Sequence, residues 1–169
     1  MTAPLYTADI LRLAASIPGQ RPLKDAQATI MRRSPVCGSR VTTSVNLDCY
    51  GRVVDFGQEV QACALGQAAA AILGQAILGQ TPENLRMAHE ALASWLKSDD
   101  TLPEFLAAHY PQLALFEPAR AHAARHPSIC LAFDAAAAAA EQAISQAPGR
   151  AAVDREPAAP ACRGAPAQR

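Results

Sequence analysis

A β-hairpin is encoded by residues 40–60, which read RVTTSVNLDCYGRVVDFGQEV. Apolar and polar side chains alternate along residues 40–47, which is the two-residue period of a strand with one buried face. The side chains expected on that buried face are Val41, Thr43, Val45 and Leu47. The segment 48–51, DCYG, is typical of a turn, and residues 52–60 return as the second strand. The hairpin therefore predicts the centre of an antiparallel sheet.

Helices are predicted around this hairpin. Residues 61–79, QACALGQAAAAILGQAILG, place apolar side chains at helical spacing. The next helix opens at Thr81 and Pro82, and its expected buried side chains are Leu85, Ala88, Leu92, Trp95 and Leu96. Further expected elements are a strand at 25–33, helices at 6–17 and 127–147, and short helical pieces within 103–125. Together they predict an α+β fold, with a three-stranded antiparallel sheet packed against a layer of helices.

The chain has 169 residues, a length that suits one domain. We expect that domain to occupy residues 1–147. Residues 148–169 consist mainly of Ala, Pro, Gly and Arg without periodicity, and they predict a disordered tail.

Composition narrows the possible partners. Half of the residues are hydrophobic, and the 15 basic residues balance the 15 acidic ones, so the net charge is zero. This balance does not favour binding to nucleic acid or to an anionic membrane surface. No apolar run is long enough to span a bilayer, and Asp9 and Arg12 interrupt the N-terminal apolar residues, which argues against a signal peptide. A cytoplasmic protein is therefore expected.

The cysteines are the residues with the most distinctive chemistry. There are five, an odd number, and none forms a Cys-x-x-Cys pair; this argues against a disulfide framework and leaves metal binding or reactive thiols open. Cys63 opens the helix predicted at 61–79. There its sulfur faces free backbone N–H groups and the positive end of the helix dipole, which favour the thiolate. The alternative is a buried cysteine that serves as a small apolar residue.

The hairpin also predicts which cysteines meet. Cys37 precedes the outgoing strand and Cys63 follows the return strand, so both should lie at one end of the sheet. Cys49 lies in the turn at the other end, roughly 30 Å away at about 3.3 Å per residue. Cys130 lies in the first turn of the last helix, for which Ser128 is the expected N-cap. If the two helices start side by side, three thiols converge in a site for a soft metal or for sulfur chemistry.

The order of these motifs resembles the NifU N-terminal/IscU/SufU group of iron–sulfur scaffold proteins. The matching stretches are VCGS at 36–39, GRVVDF at 51–56, ACALGQ at 62–67 and RHPSICLAFD at 125–134. The resemblance implies a three-stranded sheet under helices, with three cysteines at one end that hold a nascent [2Fe–2S] cluster or Zn. By position, those cysteines are Cys37, Cys63 and Cys130.

Two residues depart from the pattern that the resemblance implies. Ser39 stands where the group usually has Asp, and Ile129 stands where IscU-type members have His. Neither residue can supply the missing ligand, so the fourth ligand is left open between water, a second chain, a substrate thiol and a histidine such as His126.

The resemblance implies a scaffold that accepts persulfide sulfur from a cysteine desulfurase, binds iron and passes a labile cluster to recipient apoproteins. Such a scaffold is not itself an enzyme. The first alternative is a SufU-like zinc-dependent sulfurtransferase. The second is an interaction module whose metal site has degenerated, for which Ser39 and Ile129 are the motivation.

Overall fold

The computed structural model describes residues 4–146, so the predicted tail at 148–169 lies outside the described residues. The elements, in chain order, are α1 (Ala8–Ala14), β1 (Ala28–Arg33), β2 (Arg40–Leu47), β3 (Val53–Gln61), α2 (Ala64–Ala76), α3 (Pro82–Trp95), α4 (Glu104–His109), two 3₁₀ helices (Pro111–Ala121 and Ala123–Arg125) and α5 (His126–Gln146). The predicted α+β fold is confirmed.

The three strands form one antiparallel sheet in the order β1-β2-β3. Strand β2 is central, and its register pairs Arg40 with Gln61 and Val41 with Val60. The alternation predicted for β2 is confirmed, because the face that packs on the helices carries Val41, Thr43, Val45 and Leu47, all buried. The register also places both ends of the hairpin as predicted, with the turn and Cys49 far from the strand ends at Arg40 and Gln61.

The connection between α1 and β1 crosses the other face of the sheet. The backbone N–H of Leu23 donates to Ser44 Oγ at 3.1 Å, and Ser44 Oγ donates to the carbonyl oxygen of Gly57 at 3.3 Å. A Cβ at Gly57 would lie 2.1 Å from the carbonyl oxygen of Arg21, so only glycine permits this close crossing. Ser44 is buried for this reason, although its place in the alternation predicts a solvent-facing side chain.

Helix α5 occupies the middle of the fold and packs against β1, β2, α2 and α3. It is rich in alanine, and most of its residues are buried. The helix begins at His126 rather than at residue 127, and Pro127 is its second residue, where a missing N–H costs no hydrogen bond. Ser128 is therefore inside the first turn, and its expected role as the N-cap is wrong.

Helix α2 begins later than its sequence pattern predicts. Strand β3 continues through Gln61, so the helix starts at Ala64 and Cys63 is its N-cap residue, with an extended backbone. The next helix begins as predicted: the Thr81 side chain caps α3, whose expected buried face is buried throughout. Within residues 4–146, no helix is long and apolar enough to cross a membrane.

Candidate functional site

The site begins in the loop between β1 and β2. The Ser34 N–H donates to the Ser39 carbonyl at 2.8 Å and the Gly38 N–H donates to the Ser34 carbonyl at 3.2 Å, which closes a tight turn around Cys37. Gly38 has a φ of 69°, a left-handed conformation that glycine adopts without strain. The turn brings two hydroxyls to the Cys37 Sγ, with Ser34 Oγ at 3.3 Å and Ser39 Oγ at 3.0 Å.

Ser128 of α5 joins this loop to the start of α2. Its Oγ lies 3.3 Å from the Ser39 Oγ and 3.3 Å from the Cys63 Sγ. We call these five residues, Ser34, Cys37, Ser39, Cys63 and Ser128, the serine–thiol cluster. Cys37 is exposed, Cys63 is partly buried, and Ser39 and Ser128 are buried. The prediction that Cys37 and Cys63 lie at the same end of the sheet agrees with this geometry.

Gly66 allows Ser128 to reach the cluster. A Cβ at Gly66 would lie 2.6 Å from Ser128 Oγ and 3.0 Å from the Ser128 carbonyl oxygen. The first distance is shorter than real Cβ contacts and the second is tight, so the absence of a side chain at Gly66 permits this approach of α2 and α5.

The cluster determines the acidity of Cys37. Burial raises the pKa of this thiol, but hydrogen bonds with the hydroxyls of Ser34, Ser39 and Ser128 and with the Ser39 backbone together lower it further than burial raises it. The net result is a pKa of about 7. Cys37 is therefore ionised to a large extent at neutral pH, and a thiolate is the nucleophilic form.

Cys130 lies elsewhere. Positions two apart on a helix point about 200° apart, so a helix that turns Ser128 toward the cluster turns Cys130 away from it. Its side chain lines a cavity of about 540 Å³ together with Ala93, Lys97, Arg120, Ala123, His126 and Pro127. Burial raises the pKa of Cys130 to about 12, so this thiol remains protonated at neutral pH.

His126, a candidate fourth ligand, belongs to the same cavity. It is buried, and its Nε2 lies 3.1 Å from the carbonyl oxygen of Ala119 and 3.2 Å from that of Arg120. These contacts engage one ring nitrogen with the backbone, away from the serine–thiol cluster.

Known structures share this architecture. The N-terminal part of a nitrogen-fixing NifU-like protein from Brucella abortus superimposes with a TM-score of 0.77 and 35% sequence identity, over 85% of this chain and 96% of that chain. This chain belongs to the NifU-like N-terminal family. A proposed iron–sulfur cluster assembly scaffold protein for the SUF system from Fervidobacterium islandicum AW-1 has the same fold, with a TM-score of 0.69 and 17% identity over 80% of this chain and 96% of that chain. No protein-family model and no curated protein matches the sequence.

The structure of this NifU-like chain brings two of the three predicted cysteines, Cys37 and Cys63, to one cluster. Within residues 4–146, no three side chains of His, Cys, Asp or Glu lie close enough to hold a metal ion. Ser128 is the residue of α5 that contacts this cluster, whereas Cys130 lines the cavity described above. Zinc sites in proteins use thiolate, imidazole and carboxylate ligands, so a set of two thiols and neutral hydroxyls does not fit a resident Zn.

Sequence reasoning missed Ser34 and Ser128. Ser34 lies directly after the end of β1. The sequence pattern predicts Ser128 as a helix cap and not as a site residue. The signal that could have found Ser128 is its place as a small polar residue at the start of a long apolar run, because a buried hydroxyl needs a hydrogen-bonding partner.

Proposed function

We propose that this protein takes part in iron–sulfur cluster assembly by accepting sulfane sulfur, as a persulfide, on Cys37. Membership of the NifU-like family supports the general role. The observation that carries the specific role is the exposed Cys37 thiol, held by hydroxyls at a pKa of about 7.

The chemistry is a transfer between sulfur atoms without net oxidation. The Cys37 thiolate attacks the terminal sulfur of a donor persulfide, forming one S–S bond while the S–S bond of the donor breaks. The donor leaves as a thiolate, and Cys37 carries the persulfide. The donor that we propose is a cysteine desulfurase, and the recipients are apoproteins or a growing cluster. Cys63 is a second thiol at the cluster, in contact with the hydroxyl of Ser128.

The test is an anaerobic incubation of the full-length chain with a cysteine desulfurase and cysteine, followed by intact-mass and peptide analysis. We expect a gain of one sulfur atom on the peptide that contains Cys37, lost in Cys37→Ser. Cys130→Ser is the matched control, because Cys130 lies outside the cluster, and it should retain the gain. Equal uptake by Cys37→Ser would contradict the proposal.

Cluster binding is a second candidate function, favoured by the presence of two thiols in one cluster. Four thiolates usually hold a [2Fe–2S] cluster, so Cys37 and Cys63 would supply half of the ligands and a second chain or a recipient the others. Anaerobic reconstitution with iron and sulfide tests this candidate. We expect visible absorbance that disappears in Cys63→Ala, and an unchanged spectrum in that variant would exclude Cys63 as a ligand.

A further inference from the structure

We propose that Ser39 and Ser128 make the serine–thiol cluster selective for sulfane sulfur over zinc. The sulfur part of this inference rests on the proposed function, and the zinc part does not.

The argument starts from the geometry. Ser39 Oγ lies 3.0 Å from the Cys37 Sγ, Ser128 Oγ lies 3.3 Å from the Cys63 Sγ, and the two hydroxyls lie 3.3 Å apart. The four side chains thus form one continuous chain, thiol to hydroxyl to hydroxyl to thiol. Within the cluster, the side chains next to a tetrahedral Zn between the two thiols would be the hydroxyls of Ser39 and Ser128.

The two hydroxyls fail as zinc ligands but suit a persulfide. Zinc takes thiolate, imidazole or carboxylate, each of which carries a charge or a strongly basic lone pair, and a serine hydroxyl has neither. A persulfide anion is instead stabilised by hydrogen-bond donors, and the two hydroxyls lie at hydrogen-bond distance from the thiol sulfurs. Ser39 and Ser128 are 5% and 1% exposed, so water does not compete for their hydroxyls. Buried hydroxyls aimed at an anion stabilise it without any reorganisation.

The inference predicts that two substitutions convert the cluster into a zinc site. Ser39→Asp supplies a carboxylate and Ser128→Cys supplies a third thiolate, in a position of nearly the same size. Zn²⁺ affinity is measured in the full-length chain by competition with a chromophoric chelator, and sulfane sulfur uptake from a small-molecule persulfide is measured by intact mass. We expect the double variant to bind Zn²⁺ more than about 100-fold more tightly than the unaltered chain.

Two further variants keep the test decisive. Ser128→Cys alone adds no buried carboxylate, so it remains informative if the double variant does not fold, and we expect it to gain thiolate-to-metal absorbance with Co²⁺. Ser16→Asp/Ser145→Cys adds the same two groups at exposed positions, and it should leave Zn²⁺ affinity unchanged.

The outcomes separate this inference from the proposed function. If the Zn²⁺ affinity of the unaltered chain is within about tenfold of that of the double variant, the inferred selectivity against zinc is overturned. The proposed persulfide uptake on Cys37 does not depend on that result. If the unaltered chain takes up no sulfane sulfur, the proposed function fails, and the sulfur part of this inference fails with it. The inference is supported if the unaltered chain takes up sulfane sulfur and binds Zn²⁺ weakly, whereas the double variant takes up less sulfane sulfur and binds Zn²⁺ tightly.

Discussion

The thiol of Cys37 owes its low pKa to neutral donors rather than to a positive charge. The groups that lower it against the effect of burial are three hydroxyls and one backbone group. Hydrogen bonds at contact distance are not screened by salt, whereas attraction to a distant charge is. The reactivity of this thiol should therefore depend on pH and hardly at all on ionic strength.

A pH profile of alkylation tests this account. The rate at Cys37 follows its thiolate fraction, so it should rise as pH increases, reach half of its maximum near pH 7 and then level off. Ser39→Ala removes one hydroxyl donor and should move the midpoint to higher pH, slowing alkylation at neutral pH by about threefold to tenfold. Peptide mass analysis assigns the rate to Cys37. A midpoint that shifts strongly between low and high salt would contradict the role of the hydroxyls.

At the scale of elements, the contact between α2 and α5 depends on Gly66. Gly66→Ala would place a Cβ 2.6 Å from Ser128 Oγ, and overpacking of this kind costs about 1–3 kcal/mol. Helix propensity alone predicts the opposite sign, a gain of about 1 kcal/mol. We therefore expect a lower free energy of unfolding and slower alkylation of Cys37. Gln75→Ala, at an exposed position of α2, is the control and should not destabilise the protein.

A second contact between elements is ionic. Arg86 of α3 donates to both oxygens of Glu141 at 2.8 Å and to Asp134 at 3.1 Å, and Arg32 of β1 reaches the other oxygen of Asp134 at 2.9 Å. The network links α3, α5 and the edge strand β1. The hydrogen bonds from Arg86 lower the pKa of Glu141, so their contribution to stability is present above the pKa of the unfolded chain and is lost as the pH falls.

Arg86→Met should lower the free energy of unfolding at neutral pH by about 1 kcal/mol, because it breaks the centre of this network. The difference between the two proteins should shrink in acid, where Glu141 becomes protonated. Arg12→Met breaks only a pair whose side chains are 75% and 59% exposed, and it should cost less than about 0.5 kcal/mol. Denaturant unfolding at two pH values provides the measurement. Equal losses for Arg86→Met and Arg12→Met would show that the network contributes nothing beyond an exposed pair.

The elements also show what the sequence can and cannot predict. The period of β2 predicts its buried face because one side of the strand meets the helices and the other does not. The sequence of helix α5 gives no such signal, because its own alanines lie on all of its faces and it is buried on nearly every side. The hydrophobic pattern therefore does not predict how α5 is rotated about its own axis. Chemistry alone favours Cys130 as the third site residue, but the helix turns Ser128 toward the cluster.

At the scale of the whole molecule, Cys130 reports on opening of the fold. Its thiol is 9% exposed with a pKa of about 12, whereas Cys37 is exposed with a pKa of about 7. We expect Cys37 to be alkylated more than about 100-fold faster than Cys130 at neutral pH. Denaturant should remove the difference at the midpoint of unfolding measured by circular dichroism. Fast labelling of Cys130 in the native protein would mean that the adjoining cavity opens without unfolding.

The alanine content of α5 has an entropic consequence for the whole molecule. Burying a long side chain freezes rotamers at a cost of up to about 2 kcal/mol, whereas alanine has no rotamers to lose. The central helix can therefore be enclosed by the sheet, α2 and α3 without that cost. Small side chains also limit the adjustment that the core can make, because an alanine has no other rotamer with which to make room for a larger neighbour. Ordering the middle of this fold therefore costs little side-chain entropy, but its packing tolerates very little change in side-chain volume.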